Sequence, residues 1–242
     1  MNNISTIPGL FIHLDRILSA QEHLAPLLDR IDTEKRVLDP NAQKTMLYRY
    51  IEDRMYRYAG RLAKEHKIKK EEEIRAMFYR VVDDIFALSS ELLQKDGDIT
   101  PEEISTLHEK LYPKGLWGAT IDPKGARTFV LYPAGEYRKQ EDYLSLPDGK
   151  FWFLASEHIP SAIDRVHDFL ANHPEIHPVL RYLLFVAWAG GYVHPYYNGN
   201  GTIYRFSLAI LLLQHSYPIP DGLDVLLSDE VFLSTLKSHV LT

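Results

Sequence analysis

Apolar residues return at helical intervals through most of the first hundred positions of the chain. Over 8–31 they fall at Leu14, Ile17, Leu18, Leu24, Leu27 and Leu28, the spacing of a helix with one buried face. Pro26 predicts a kink there, or a break into two short helices. Asp39-Pro40-Asn41 reads as a turn. A second helix is predicted from about 41 to 66, with Met46, Leu47, Tyr50, Ile51, Met55 and Tyr58 along one side. The charged run 67–73 reads as a solvated linker and helix start. Beyond it Ile74, Met77, Phe78, Val81, Val82, Ile85, Phe86 and Leu92 mark a strongly amphipathic third helix. That helix closes on Lys95-Asp96-Gly97-Asp98, a basic last turn followed by glycine.

Thr100-Pro101-Glu102-Glu103 is a helix opening, with a Thr cap, Pro at the first helical position and Glu at the third. It predicts a helix to about 112. From 113 to 160 glycines punctuate short β-prone pieces at 128–132 and 151–154, and 146–150 looks like a hairpin turn. Helix resumes at 161–170, Pro174 opens the next, and apolar runs at 179–189 and 203–213 follow. A last helix is predicted at 228–240. The expectation is a mainly α protein with one small β element: residues 1–98 a helical extension, 99–242 a core domain ending in a helix.

Composition narrows the function. Of 242 residues, 45% are hydrophobic and 25% charged, which are globular values. A formal charge of −6 argues against broad nucleic-acid binding, which depends on neutralising phosphates with Lys and Arg. The absence of cysteine excludes disulfides and thiolate chemistry and fits a reducing compartment. Asp15 and Arg16 interrupt the early apolar run, so no signal-peptide pattern is read there. No apolar stretch approaches the roughly 20 residues that span a bilayer. The chain reads as soluble and cytoplasmic, with export as an effector left open.

The candidate chemistry lies in Gly190-Gly191-Tyr192-Val193-His194-Pro195-Tyr196-Tyr197-Asn198-Gly199-Asn200-Gly201-Thr202-Ile203-Tyr204-Arg205. An apolar helix, a Gly-Asn-Gly loop and a second helix suit an anion, because loop and first-turn N–H groups converge on one point. A lone histidine is more often structural, and Arg205 by itself fits a buried ion pair as well as a phosphate. His173 and His177 stand one helical turn apart, but Pro174 and Pro178 follow them and nothing completes a tetrahedral metal set. Tyr48, Tyr50, Tyr56, Tyr58 and Trp188 read as core.

The loop resembles the signature of the Fic (Fic/Doc, Fido) family, H-P-F-x-[D/E]-G-N-[G/K]-R-x-x-R. It matches without a gap at the His, Pro, aromatic, Gly, Asn, Gly and closing Arg positions. Leu107-His108 and Gly135-Glu136-Tyr137-Arg138 agree as well, and the likeness covers roughly 100–220. The resemblance implies a helical-bundle Fido fold with a β-hairpin flap and an N-terminal helical extension. It implies transfer of AMP, or another nucleotide-derived phosphate group, from ATP or another nucleotide to a Ser, Thr or Tyr hydroxyl of a target protein. His194 would be the catalytic base, and Gly199, Asn200, Gly201 and Arg205 would hold phosphate. Phe151 and Phe153 would dock the target on the flap.

Two positions depart from that signature. Asn198 stands where the family has a magnesium-binding carboxylate, and an amide oxygen brings no charge, so Mg²⁺ affinity should fall. Thr202 stands where it has a phosphate-directed arginine, a loss of about 1.5–3 kcal/mol of binding. These departures leave open a weakened AMP transferase, a Doc-like phosphotransferase or an enzyme using another donor such as a phosphocholine carrier. A catalytically silent nucleotide- or partner-binding fold stays open too. The family's inhibitory-helix pattern has a partial match at Tyr48-Arg49-Tyr50-Ile51-Glu52-Asp53, where Glu52 would pair with Arg205; the plain alternative is an exposed helix carboxylate.

Overall fold

Side-chain oxygens placed just ahead of apolar repeats decide where several of the helices begin. The structure, a computed structural model, describes residues 14–35, 38–65, 71–121, 127–146 and 149–220. These fall into two compact units, one taking the described residues of 1–37, 137–195 and 211–242, the other those of 38–136 and 196–210. The division drawn from the sequence at residue 98 follows chain order, whereas each unit is assembled from separate stretches.

In the unit built on 38–136, Asp39 caps α2 (Pro40–Glu65), its carboxylate accepting the N–H groups of Asn41 and Ala42 at 2.9 and 3.0 Å. The segment expected as a turn is therefore a helix start, with Pro40 in the one place where a missing donor costs nothing. Leu47, Ile51, Met55, Tyr58 and Ala59 are buried along one side of α2, which packs on α3 (Glu71–Leu93) through Val81, Val82 and Ile85. Of the four tyrosines expected in the core, Tyr58 is buried but Tyr56 is 56% exposed. The capping box of α4 (Pro101–Leu111) is present: Thr100 Oγ1 accepts the Glu103 N–H at 3.3 Å and Glu103 accepts the Thr100 N–H at 2.8 Å.

Strands β1 (Leu116–Ile121) and β2 (Arg127–Tyr132) follow as an antiparallel pair, with Leu116 opposite Tyr132 and Ile121 opposite Arg127. The sequence predicts β2 but not β1, whose Gly118 and Ala119 weaken the strand signal.

In the other unit, α1 (Leu14–Thr33) runs through Pro26 without the expected break. Pro26 is exposed, so water can meet the carbonyl that its missing N–H leaves unbonded. Strands β3 (Tyr143–Leu146) and β4 (Gly149–Trp152) form the expected hairpin, although Phe153 and Leu154 lie past its end. The described residues thus hold two small sheets where one β element was expected.

Helix α5 (Ile159–Asn172) packs on α6 (Pro178–Phe185) and on the π-helical turn Val186–Val193 that continues it. Pro178, not Pro174, opens α6, capped by His177 Nδ1 accepting the Val179 N–H at 3.3 Å. Trp188 is core, as expected, with its ring edge-on to Phe169. Helix α7 (Asn200–Gln214) is buried from Thr202 to Leu213, as a helix apolar on every face must be. The predicted helix 228–240 lies outside the described residues. No helix among the described residues is long and apolar enough to cross a membrane.

Replacing Thr100 with Ala should remove the side-chain bond of the capping box, leaving the one donated by the backbone N–H of residue 100, and lower stability by about 1 kcal/mol, read by urea denaturation; Thr100→Ser should keep most of it.

Candidate functional site

The motif is divided between the two units at the Pro195–Tyr196 bond, and each part is held by its own set of side chains. On the first side, the π-helical turn ends with the His194 N–H bonded to Ala189 O at 3.0 Å. Such turns recur at functional sites. His194 itself adopts φ 49° and ψ 60°, a left-handed conformation that costs a non-glycine residue about 1 kcal/mol or more.

Arg138 holds it there. Its buried guanidinium donates to His194 O at 2.8 Å, Val193 O at 3.2 Å, Gln140 O at 2.7 Å and Leu154 O, while its backbone N–H takes Pro195 O at 2.7 Å. Three successive carbonyls, 193 to 195, are thus fixed by one residue.

The His194 ring stacks on Phe153, centroids 3.9 Å apart and planes 12° from parallel. Its Nδ1 is turned inward, 3.3 Å from Asp142 Oδ2, close enough for an ion contact but off the line of a good hydrogen bond. The side chain is 22% exposed, and Nε2 is the ring nitrogen left to solvent. Burial raises the Asp142 carboxyl, but His194, the Tyr143 N–H and Arg138 outweigh it and hold the group below its ordinary range. A carboxylate behind one ring nitrogen with the other open is the arrangement of a base oriented from behind.

On the second side, Asn200 staples the loop. Its buried side chain accepts the Tyr196 N–H at 2.9 Å and donates to Tyr196 O at 2.7 Å. Gly199 has φ +80° and lies so near α4 that a Cβ would meet Tyr112 at 2.9 Å and Leu111 at 3.0 Å. His108 accepts the Gly135 N–H on Nδ1 at 2.9 Å, so Nε2 carries the hydrogen and donates to Asn198 O at 2.9 Å. The imidazole also stacks on Tyr196 at 4.1 Å. Burial outweighs the Asn198 bond and pushes His108 down to about 4, so it is a neutral strut. The two matches outside the loop, at His108 and Arg138, therefore hold loop carbonyls.

Gly199 O accepts the N–H groups of Thr202 and Ile203 at 3.0 and 2.9 Å. The N–H groups of Asn200 and Gly201 find no acceptor among the described residues, the usual state of a helix first turn. Arg205 is buried and its Nη1 donates to Gly201 O at 2.7 Å. A Cβ at 201 would stand 2.6 Å from that nitrogen, so any other residue there would make the guanidinium shift.

The side-chain oxygen of Asn198 accepts the Gly199 N–H at 2.7 Å and the Tyr58 hydroxyl at 3.3 Å; Tyr58 also touches the Tyr112 hydroxyl. That oxygen is the side-chain atom Asn198 could offer a hard cation, and two donors already occupy it. The side chain does not fit a magnesium ligand in this arrangement.

Glu52 accepts a hydrogen bond from Tyr79 of α3. Two α2 residues reach the loop in described contacts: Tyr58 bonds Asn198, and Arg54 Nη2 lies 3.4 Å from Thr202 Oγ1. Phe151 lies in β4, and Phe153 is the one of the pair described in contact with His194. His173 pairs with Glu175 at 2.7 Å, and His177 caps α6 with Nε2 3.2 Å from Asp32. Sequence reasoning missed Asp142 and Arg54, and read Tyr58 as core without its bond to Asn198. Asp142 had no signal, while Arg54 stands one helical turn before Tyr58 on a helix read only for its apolar side.

No family model matches the chain, and no curated protein matches it in sequence. Solved structures do resemble it. A Fic family protein from Desulfovibrio desulfuricans matches 97% of this chain and 70% of its own, at 17% identity and a TM-score of 0.57. A Fic domain containing signaling protein from Bacteroides thetaiotaomicron matches 93% and 94%, at 15% identity and a TM-score of 0.54.

His108 binds its proton more weakly in the folded chain, about 4 against 6.5, so its contribution is complete above pH 6.5 and lost as pH falls toward 4. That gap is worth about 3 kcal/mol. Urea unfolding measured from pH 7 to pH 4 should show the loss, and His108→Gln should flatten the profile. Asp142 acts in a lower window, because its depressed carboxyl loses its contribution only on further acidification.

At position 194, glycine relieves the left-handed strain and alanine does not. His194→Gly should therefore be more stable than His194→Ala by about 0.5–1 kcal/mol in the same assay.

Proposed function

We propose that this chain, which has the Fic fold, is a transferase. It moves AMP, or another nucleotide-derived phosphate group, from a nucleotide to a hydroxyl side chain of a target protein. The observation that carries the reading is the state of His194: a strained backbone held by Arg138, one ring nitrogen toward Asp142 and the other open. Backbone strain of this kind persists where the surrounding structure over-determines it, and that is most often a functional site.

In this reading His194 Nε2 takes the proton from a Ser, Thr or Tyr hydroxyl as its oxygen bonds to phosphorus. The bond from that phosphorus to the leaving phosphate breaks, and pyrophosphate departs when ATP gives AMP. The N–H groups of Asn200 and Gly201 and the Arg205 guanidinium would stabilise the charge on phosphate. The β3–β4 hairpin would hold the target segment by strand addition, with Phe151 and Phe153 beside it.

A second reading has its own support. With the Asn198 oxygen already committed to two donors, the site fits nucleotide binding without turnover as well.

The test is incubation with ATP labelled at the α or the γ phosphate in a cell lysate, with mass spectrometry of modified hydroxyls. Transfer of α-label, abolished in His194→Ala, is expected. Transfer of γ-label instead would make the chain a phosphotransferase, and a non-nucleotide adduct would point to another donor. Nucleotide-induced thermal stabilisation without any adduct would establish the silent fold.

A further inference from the structure

We infer that Asp142 is a positioning residue for His194: it selects the ring tautomer with hydrogen on Nδ1, which leaves the Nε2 lone pair for the incoming proton. The inference rests on the reading of His194 as the base. It makes the β3–β4 hairpin part of the device that readies that base.

The carboxylate is oriented before it meets the ring. Asp142 Oδ1 accepts the Tyr143 N–H at 2.9 Å, which leaves Oδ2 turned to His194 Nδ1 at 3.3 Å. Burial works against this charge, but His194 and the Tyr143 N–H outweigh it, so Asp142 carries no hydrogen at neutral pH. It can only accept. His194 Nδ1 is buried away from water and makes no well-aligned hydrogen bond. A bare Nδ1 would therefore set two acceptors against each other in a dry contact, whereas a hydrogen there turns the contact into an attraction. An imidazole side chain in water favours hydrogen on Nε2, so the form selected here is not the default.

The ring plane is fixed from the same rung of the hairpin. Asp142 O accepts the Phe153 N–H at 3.1 Å, one step beyond the pair of Tyr143 and Trp152, so residues 142 and 153 stand opposite each other. Opposite residues share a face of the ribbon. Here one sets its carboxylate at Nδ1 and the other stacks its ring on the imidazole at 3.9 Å. When Nε2 takes the proton of the hydroxyl, the ring becomes a cation. The Asp142 carboxylate then offsets that charge at Nδ1–H without taking the proton itself.

Asp142→Asn isolates this role. The amide oxygen can keep the Tyr143 N–H, which turns the NH₂ group toward Nδ1 and reverses the direction of the contact. The hydrogen is then driven to Nε2, and the base loses the lone pair it needs.

The test is long-range proton–nitrogen NMR of the full chain carrying nitrogen-15 histidine, at about pH 8.5, where imidazole is ordinarily neutral. His194 is assigned by the signals lost in His194→Gln. The parent chain should show hydrogen on Nδ1 and a bare Nε2 at this residue. Asp142→Asn, shown to be folded by circular dichroism, should move the hydrogen to Nε2. It should also lower kcat for transfer of α-label about a hundredfold or more, with KM little changed. Asp142→Glu restores a group that can only accept and should return part of both. Glu141→Gln, which removes the neighbouring charge bonded to Ser156, should leave the tautomer as it is.

Hydrogen on Nε2 in the parent chain would overturn the inference by itself, even if no variant folded. An unchanged tautomer in folded Asp142→Asn would do the same. An equal change in Glu141→Gln would make the effect one of general charge, against the inference. A parent chain with hydrogen on Nδ1 that transfers no label would sink the transferase reading and leave the positioning of the ring standing.

Discussion

One buried guanidinium fixes the backbone around His194. Arg138 donates to four carbonyls and, through its own N–H, engages a fifth. Burying such a group is unfavourable unless its donors are met, and unmet carbonyls at Val193 and Leu154 would be costly in turn. The charge and the carbonyls therefore hold each other in place. A left-handed histidine between a π-helical turn and a proline would otherwise have a strong tendency to relax.

The second half of the motif is held by different chemistry of the same kind. His108 has no charge to offer at neutral pH, and its two nitrogens are split between an incoming and an outgoing hydrogen bond. The Asn200 amide does the same with both polar groups of Tyr196. In each case a side chain with one donor and one acceptor replaces the bonds that the irregular loop cannot make with itself. Among the described residues the N–H groups of Asn200 and Gly201 at the start of α7 meet no acceptor, and that is the part of the loop suited to an anion.

How much of this was legible in the sequence depended on the range of the interaction. The capping box of α4, the apolar face of α2, the later part of that of α3 at Val81, Val82, Ile85 and Leu92, and the existence of the β3–β4 hairpin are local patterns, and they are found near where the spacing put them. The strand β1 was missed because its glycine and alanine carry little β preference, and its pairing with β2 supplies what its composition lacks. Pro26 misled because exposure, which no local pattern encodes, decides whether its lost bond matters. At the site, the loop residues were legible as a spaced motif. Asp142 was not, because it meets His194 across 51 intervening positions of chain through a hairpin connection. Thr202 was read as a loss of charge, which holds for the loop alone; Arg54 approaches the same residue from another helix.

The π-helical turn carries a consequence for how the chain tolerates change. An α-helix advances about 100° per residue, and a π turn accommodates one surplus residue in that progression. Excising any single residue from Val186–Val193 would let ordinary winding resume, and the imidazole would emerge about a quarter-turn or more away from Phe153 and Asp142. The segment can accordingly accept exchanges of one small side chain for another. Its length, unlike its composition, has no slack.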